Sequence, residues 1–170
     1  SGLLIADYVL SARREQGLLP ERPSDGALVT TIVSSDMARP VAAEYGLSVI
    51  ETLTGFKYIG EQIRLFERAR AANAGRPDAA KGAYVFEFGF EESYGCLVGT
   101  YARDKDAVMA VVSLCEAAAY YAGQGMTLWD AMLAMYEKYG YYAEDLACLT
   151  LRGADGAEKI ARMMTDLRND

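Results

Sequence analysis

"AYVFEFGF" (residues 83–90) is an almost unbroken apolar run whose one carboxylate is Glu87, and it stops abruptly at the acidic turn "EESYG" (91–95). A short apolar run closed by a polar, Gly-containing turn suits a buried strand, because a helix would need a longer stretch with a 3.6-residue period. Two carboxylates and a hydroxyl then stand where that strand runs out. This placement raises both the question of the fold and the question of the function.

Two other runs share the character of this strand. "ALVTTIV" (27–33) is β-branched and nearly continuous, as expected of a central strand, and "LSVIETL" (47–53) reads as its neighbour. Helical patterns separate them. "LLIADYVLSARREQG" (3–17) places Leu3, Leu4, Tyr8 and Val9 at helical spacing, with Arg13, Arg14 and Glu15 on the wet side and Gly17 as a stop. Ser34, Ser35 or Asp36 is expected to cap the next helix, which takes Pro40 in its early turns and ends at Gly46. Thr54-Gly55 breaks the second strand ahead of "FKYIGEQIRLFERARAA" (56–72), where Phe56, Ile59, Ile63 and Phe66 share a face and Asn73, Gly75 and Pro77 close the helix. "KDAVMAVVSLCEAAAYYAGQG" (105–125) reads as a strongly apolar helix.

Helices alternating with strands predict an α/β fold, three layers deep, with a mixed and mostly parallel sheet of about four strands. Beyond Gly125, Thr127 with Asp130 makes a capping-box start for "LWDAMLAMYEKYG" (128–140). "YYAEDLACLTL" (141–151) reads as a strand, and Asp155 with Glu158 as the cap of a last helix, "AEKIARMMTDL" (157–167). A lone helix, strand and helix cannot bury a core, so this C-terminal extension is expected to lead into another domain. The division expected is a main domain over 1–125, a linker helix and connection over 126–147, and the beginning of a further, truncated domain over 148–170.

Charge and composition narrow the function. The 170 residues carry a net charge of -7, which argues against nucleic-acid binding through phosphate neutralisation. No apolar run is long enough to cross a bilayer and no basic, apolar leader opens the chain, so a soluble cytoplasmic protein is expected. Cys96, Cys115 and Cys148 match neither a disulfide framework nor a zinc spacing, and read as idle thiols. The absence of histidine removes Ser-His and Cys-His nucleophile activation, including any for Cys96.

In open parallel sheets ligands bind beyond the carboxyl ends of the strands. Three loops take that position here: Ser34 to Asp36, Thr54 to Lys57, and Glu91 to Gly95. Carboxylates accept hydrogen bonds from vicinal hydroxyls, a seryl hydroxyl both donates and accepts, and glycine admits close approach, so the last two loops suit a polyhydroxylated ligand such as a sugar. Arg103 and Lys105 stand at a helix start, where cations are disfavoured, and hint at an anionic partner. Each feature also has a plainer explanation: a solvated turn, a helix cap, an N-terminal charge cluster. The Met and Tyr stripe of 128–140 reads as packing between domains.

"TLTGFKYIGEQI" (52–63), "FGFEESYGCLVGTYARDKDAVMA" (88–110) and "YEKYGYYAEDLACLTLRGADGAEKI" (136–160) together resemble the third domain, and the entry into the fourth, of the α-D-phosphohexomutase superfamily in its bacterial phosphoglucomutase branch. The resemblance covers nearly the whole chain, with the three motifs in the family's order and spacing. It implies an enzyme that interconverts hexose 1- and 6-phosphates through a bisphosphate intermediate, with Mg²⁺ beside an active-site phosphoserine. By the same resemblance, Glu91 and Ser93 are the sugar-binding pair, Gly89 to Gly95 form the sugar-selecting loop, and Thr54 and Gly55 belong to a second sugar-contacting loop. Lys105 matches a family lysine that reaches phosphate or nearby hydroxyls, with Arg103 as a second candidate. The phosphoserine, metal and phosphate-clamp loops are not found in this sequence, so domains one, two and four would supply them, and the chain alone is expected to bind no metal and to be inactive. Phe90 stands where many relatives have Gly. A non-catalytic α/β/α module for a sugar phosphate or nucleotide is the alternative, and a purely structural partner domain a third possibility.

Overall fold

A computed structural model describes residues 1–73, 83–146 and 148–169. Helix α1 (Gly2–Glu15) precedes strand β1 (Gly26–Thr31), followed by α2 (Ala38–Glu44), β2 (Ser48–Thr52), α3 (Phe56–Ala72), β3 (Val85–Phe90), β4 (Cys96–Val98), α4 (Ala107–Ala122), α5 (Leu128–Tyr139) and α6 (Gly153–Asn169). The sheet runs β2-β1-β3-β4, with β1 parallel to both neighbours and β4 antiparallel to β3. The mixed, mostly parallel sheet that the alternating pattern implies is therefore present.

Helix α3 covers one face. Its Phe56, Ile59, Ile63 and Phe66 pack on Ala27 and Val29 of β1, Phe86 of β3 and Leu97 of β4. The opposite face carries the larger core, where Leu28, Phe88 and Phe90 meet Leu10 of α1, Val41 of α2 and Ala117 of α4, with Ala131 and Met135 of α5 behind. Strict alternation would put Phe86 and Phe88 on the same face. They go to opposite faces because the register slips: Ala27 stands opposite Phe86, yet Leu28 stands opposite Phe88, which leaves Glu87 as the extra residue of a bulge. Glu87 is 0% exposed and accepts a bond from Arg13 Nε of α1 at 2.7 Å.

Several expectations are corrected. Strand β1 ends at Thr31, leaving Ile32 and Val33 exposed, because the chain turns there through Ser34 N to Thr31 O, 3.0 Å. Ser34, Ser35 and Asp36 do not cap α2. Met37 occupies the cap position without a side-chain bond, since carbonyls of Ser35 and Asp36 already accept from Ala38 and Arg39. Asn73 closes α3 as expected, whereas Gly75 and Pro77 lie outside the described residues. The fourth strand is not "YYAEDLACLTL" but Cys96–Val98, which zips back onto β3. The described residues of 141–151 form no strand, because a strand exists only where a ladder partner is available, and Leu146 and Leu149 stay exposed. Helix α6 begins at Gly153, so Asp155 falls within its first turn instead of capping it. The capping box of Thr127 and Asp130 is present, and α5 packs onto the main core through Ala131 and Met135.

The connection from β4 to α4 passes across α3 at Gly60, where an added Cβ would overlap the Arg103 carbonyl. Gly60→Ala is therefore expected to destabilise by about 1–3 kcal/mol in urea unfolding, although alanine is the better helix former by about 1 kcal/mol. A variant more stable than the parent would mean that the connection does not lie against this helix.

Candidate functional site

Parallel pairing of β2, β1 and β3 brings their carboxyl ends to one rim. From it emerge the loops 32–37, 53–55 and 91–95, and Asp106 N, bonded to Cys96 O at 3.1 Å, brings the start of α4 back to the same edge.

The turn after β3 is the most constrained of these. Glu91 N donates to Gly95 O at 2.8 Å, closing a hairpin whose three loop residues are Glu92, Ser93 and Tyr94. Two adjacent threonines at the end of β1 hold it down. Thr30 Oγ1 donates to Phe90 O at 3.1 Å, and Thr31 Oγ1 donates to Glu92 Oε2 at 2.7 Å while sharing a 2.9 Å bond with Ser34 Oγ. Glu91 itself is 5% exposed, and among the described residues its Oε2 has no hydrogen-bond partner. A buried carboxylate oxygen left without a donor is costly. What faces it is Lys105, whose Nζ lies 3.6 Å away.

Lys105 is placed by the residues around it. Asp106 caps α4 by accepting from the amides of Val108 (2.8 Å) and Met109 (3.1 Å), and Tyr101 OH donates to it at 2.7 Å. The Tyr101 hydroxyl first, then the amides of Met109 and Val108, holds the Asp106 carboxyl below its usual range. Gly95 completes the fit: a Cβ there would stand 2.8 Å from both Glu91 Oε2 and Lys105 Cδ, so glycine lets carboxylate and ammonium stem converge without either side chain shifting.

The residues singled out in the sequence therefore divide. Glu91, Ser93 and Lys105 converge on one turn, with Ser93 exposed at its tip. Thr54 and Gly55 occupy the same rim across the width of β1, with Gly55 at the cap position of α3 and Thr54 exposed. Arg103 turns away, donating to Glu67 Oε2 and Thr100 O at 2.6 Å each, and lines a separate hollow with Lys57, Tyr58 and Arg64. Glu91 instead lines an open hollow of about 240 Å³ with Ser34, Ser35, Glu92 and Tyr94. Neither Thr54 nor Lys105 borders it, so the three loops share a rim without sharing one cavity.

Sequence reasoning passed over Thr30 and Thr31. The threonines were visible as polar residues ending an otherwise apolar strand. Their bonds to the next loop but one could not be seen before the strand order was known. Burial raises the Cys96 thiol above its ordinary range, which suits an inert core sulfur. Cys115 and Cys148 are exposed. Among the described residues no three Asp, Glu, Cys or His side chains gather into a group able to hold a metal ion. No described helix is long and apolar enough to cross a membrane. The turn thus offers a carboxylate oxygen in want of a donor, an exposed hydroxyl and an ammonium, a set suited to hydroxyls next to an anion.

Comparison with known proteins identifies the family of the fold. The family model described as "Phosphoglucomutase/phosphomannomutase, alpha/beta/alpha domain III" matches residues 2–139. A phosphoglucomutase of Staphylococcus aureus is 33% identical over 143 residues, which are 84% of this chain and 23% of that protein. One from Staphylococcus epidermidis is 31% identical over 169 residues, 99% of this chain and 27% of its own length. The chain thus spans about a quarter of the length of these relatives. Among solved structures, one described as a phosphomannomutase of Thermus thermophilus shares the fold with a TM-score of 0.57 at 20% identity, over 89% of this chain and 30% of that one. The open form of the Paramecium phosphoglucomutase parafusin superposes with a TM-score of 0.51 at 20% identity, over 82% and 21% of the respective chains. With a family model matching residues 2–139, most of its length, this chain belongs to the phosphoglucomutase/phosphomannomutase family, in the alpha/beta/alpha domain III of that family.

Proposed function

We propose that this chain is the sugar-recognition domain of a phosphohexomutase of the phosphoglucomutase type, which interconverts glucose 1-phosphate and glucose 6-phosphate through a bisphosphate intermediate. The observation that carries the reading is Glu91 Oε2, buried at the strand end without a hydrogen-bond donor among the described residues and faced by Lys105 at 3.6 Å. Where Glu91 borders the hollow its carboxylate would accept from a hexose hydroxyl, Ser93 would bond a second hydroxyl, and Lys105 would hold the phosphate or a hydroxyl beside it. Thr54 and Gly55 would meet the far side of the sugar across β1. Arg103, paired with Glu67, would brace the Lys105 segment from behind.

In this reading the domain orients substrate and does not attack it. Phosphoryl transfer by positioning and charge stabilisation needs a phosphoserine, a magnesium ion and a phosphate clamp, which other domains of the same polypeptide would provide. Residues 1–125 would form the recognition domain, 126–147 the connecting helix and segment, and 148–170 the beginning of the next domain. Hexose phosphates are held inside cells by their charge, so the enzyme would act in the cytoplasm. The names and coverage of the relatives support this reading, as does the donor-hungry carboxylate.

The test is Glu91→Gln in the full-length polypeptide, assayed with glucose 1-phosphate. Glutamine keeps the shape but loses the charge that pairs with Lys105 and receives the hydroxyl. A fall of about 10- to 100-fold in kcat/KM is expected from one lost charge-assisted hydrogen bond. An unchanged kcat/KM in a correctly folded variant would refute the assignment.

A further inference from the structure

Among the described residues Tyr94 is the one non-glycine with a positive φ, 69°. It is the last loop residue of the hairpin closed by Glu91 N and Gly95 O, the place where a three-residue hairpin takes a left-handed residue and ordinarily uses glycine or asparagine. A tyrosine in that conformation brings its Cβ against its own backbone, and the strain must be offset by something. Packing does not offset it, because Tyr94 is 85% exposed. The ring stands in water beside the hollow that it lines with Glu91, Glu92, Ser34 and Ser35. A strained backbone that presents an unpacked aromatic ring beside a donor-hungry carboxylate breaks two local rules at once, and such breaks gather at binding sites.

We propose that Tyr94 is a specificity residue of the site: its ring is a platform on which the C–H face of a hexopyranose stacks while Glu91 takes a hydroxyl from the ring edge. This inference rests on the sugar-binding reading of the turn given above. Such a platform suits the proposed bisphosphate route, in which the sugar is held in two orientations. Hydrogen bonds have to be re-paired when a hexose turns over, whereas an aromatic face offers the same apolar surface to either arrangement of the ring. A hexose with an axial hydroxyl on the stacked face would lose contact with the platform, so the tyrosine would discriminate between epimers as well as bind.

The test uses the full-length polypeptide and three variants. Tyr94→Asn removes the ring and installs a residue at ease with a left-handed φ. It should raise Tm by about 2–4 °C while raising KM for glucose 1-phosphate about tenfold. Tyr94→Phe restores the ring without the hydroxyl and should recover KM to within about twofold, since stacking needs only the aromatic face. A Tyr94→Asn variant that gains stability with kcat/KM unchanged would overturn the proposal, marking the ring as idle. Equal damage from phenylalanine and asparagine would overturn it too, by assigning the effect to the hydroxyl, and a lower Tm for Tyr94→Asn would refute the strain. Glu91→Gln separates the two levels. If it loses activity while Tyr94→Asn does not, only the platform fails, and if neither changes the rate, the sugar-binding reading fails with it.

Discussion

Arg13→Met is expected to remove about 3–5 kcal/mol of stability at pH 7, the usual effect of leaving a buried charge without its partner. Glu87 lies in the bulge of β3 with a fully buried side chain, Arg13 Nε 2.7 Å from its Oε2, and an Oε1 that has no partner among the described residues. Burial pushes its carboxyl above the usual range, and Arg13, with Arg70 at longer range, pulls it back down. The folded state therefore holds this proton more tightly than the unfolded chain, whose carboxyl titrates near about 4.3. With a raised folded value, the stability contributed by this group is complete below the unfolded value and declines as pH rises through the folded one. Methionine keeps the packing of the arginine stem but removes the pull, so the carboxyl moves further up and the loss grows between pH 4.5 and 7. Urea unfolding at the two pH values measures it. Adding Glu87→Gln to Arg13→Met should recover most of the loss at pH 7, because a neutral amide no longer carries a buried charge. A loss equal at both pH values would show that the pair acts through packing alone.

Asp7→Ala is expected to destabilise by about 2 kcal/mol, seen as a Tm lower by about 4–8 °C. Asp7 Oδ1 accepts from Tyr45 OH at 2.8 Å and from Tyr139 OH at 2.6 Å, so one carboxylate ties α1 to both α2 and α5. Burial first, and then Asp7 itself, raises both phenols well above their ordinary range, so they stay protonated donors. Glu44 adds a second tie at the surface through Arg14 at 3.2 Å and Lys138 at 3.3 Å, screened by solvent and of little weight by comparison. Alanine leaves the partly buried Tyr139 hydroxyl without its acceptor, while Tyr45 OH keeps the residue-7 carbonyl at 3.0 Å, whereas Asp7→Asn retains a side-chain carbonyl oxygen and should cost about 1 kcal/mol. Tyr139→Phe combined with Asp7→Ala should cost less than the sum of the two single changes, because they break one shared bond. Strict additivity would mean that the bond does not form in solution.

The two networks mark where reading the chain from its residues stops. Both pair groups far apart in sequence, Arg13 with Glu87 and Asp7 with Tyr139, and neither shows a local pattern. Within its own run Glu87 is only the one carboxylate. It is the extra residue of a bulge, and by shifting the side-chain period it sends Phe86 to α3 and Phe88 to the other core. Strand β4 was missed for a related reason. Three residues carry too little period to be seen, and the hairpin that creates the strand has tyrosine where turn chemistry expects glycine. "YYAEDLACLTL" was over-read by the opposite error, since strand-like composition without a partner makes no strand.

By itself the sequence determined the alternation of helices and strands, the span of α3, the capping box of α5, and the presence of Glu91, Ser93 and Lys105 near one strand end. Those features depend on period, caps and neighbours a few residues away, and such interactions are written locally. Only the tertiary structure decided that Lys105 and not Arg103 faces Glu91, that Thr30 and Thr31 hold the turn, and that Thr54 shares the rim but not the hollow. Each of these depends on strand order and register, which bring distant residues within bonding reach and appear in no single stretch of the chain.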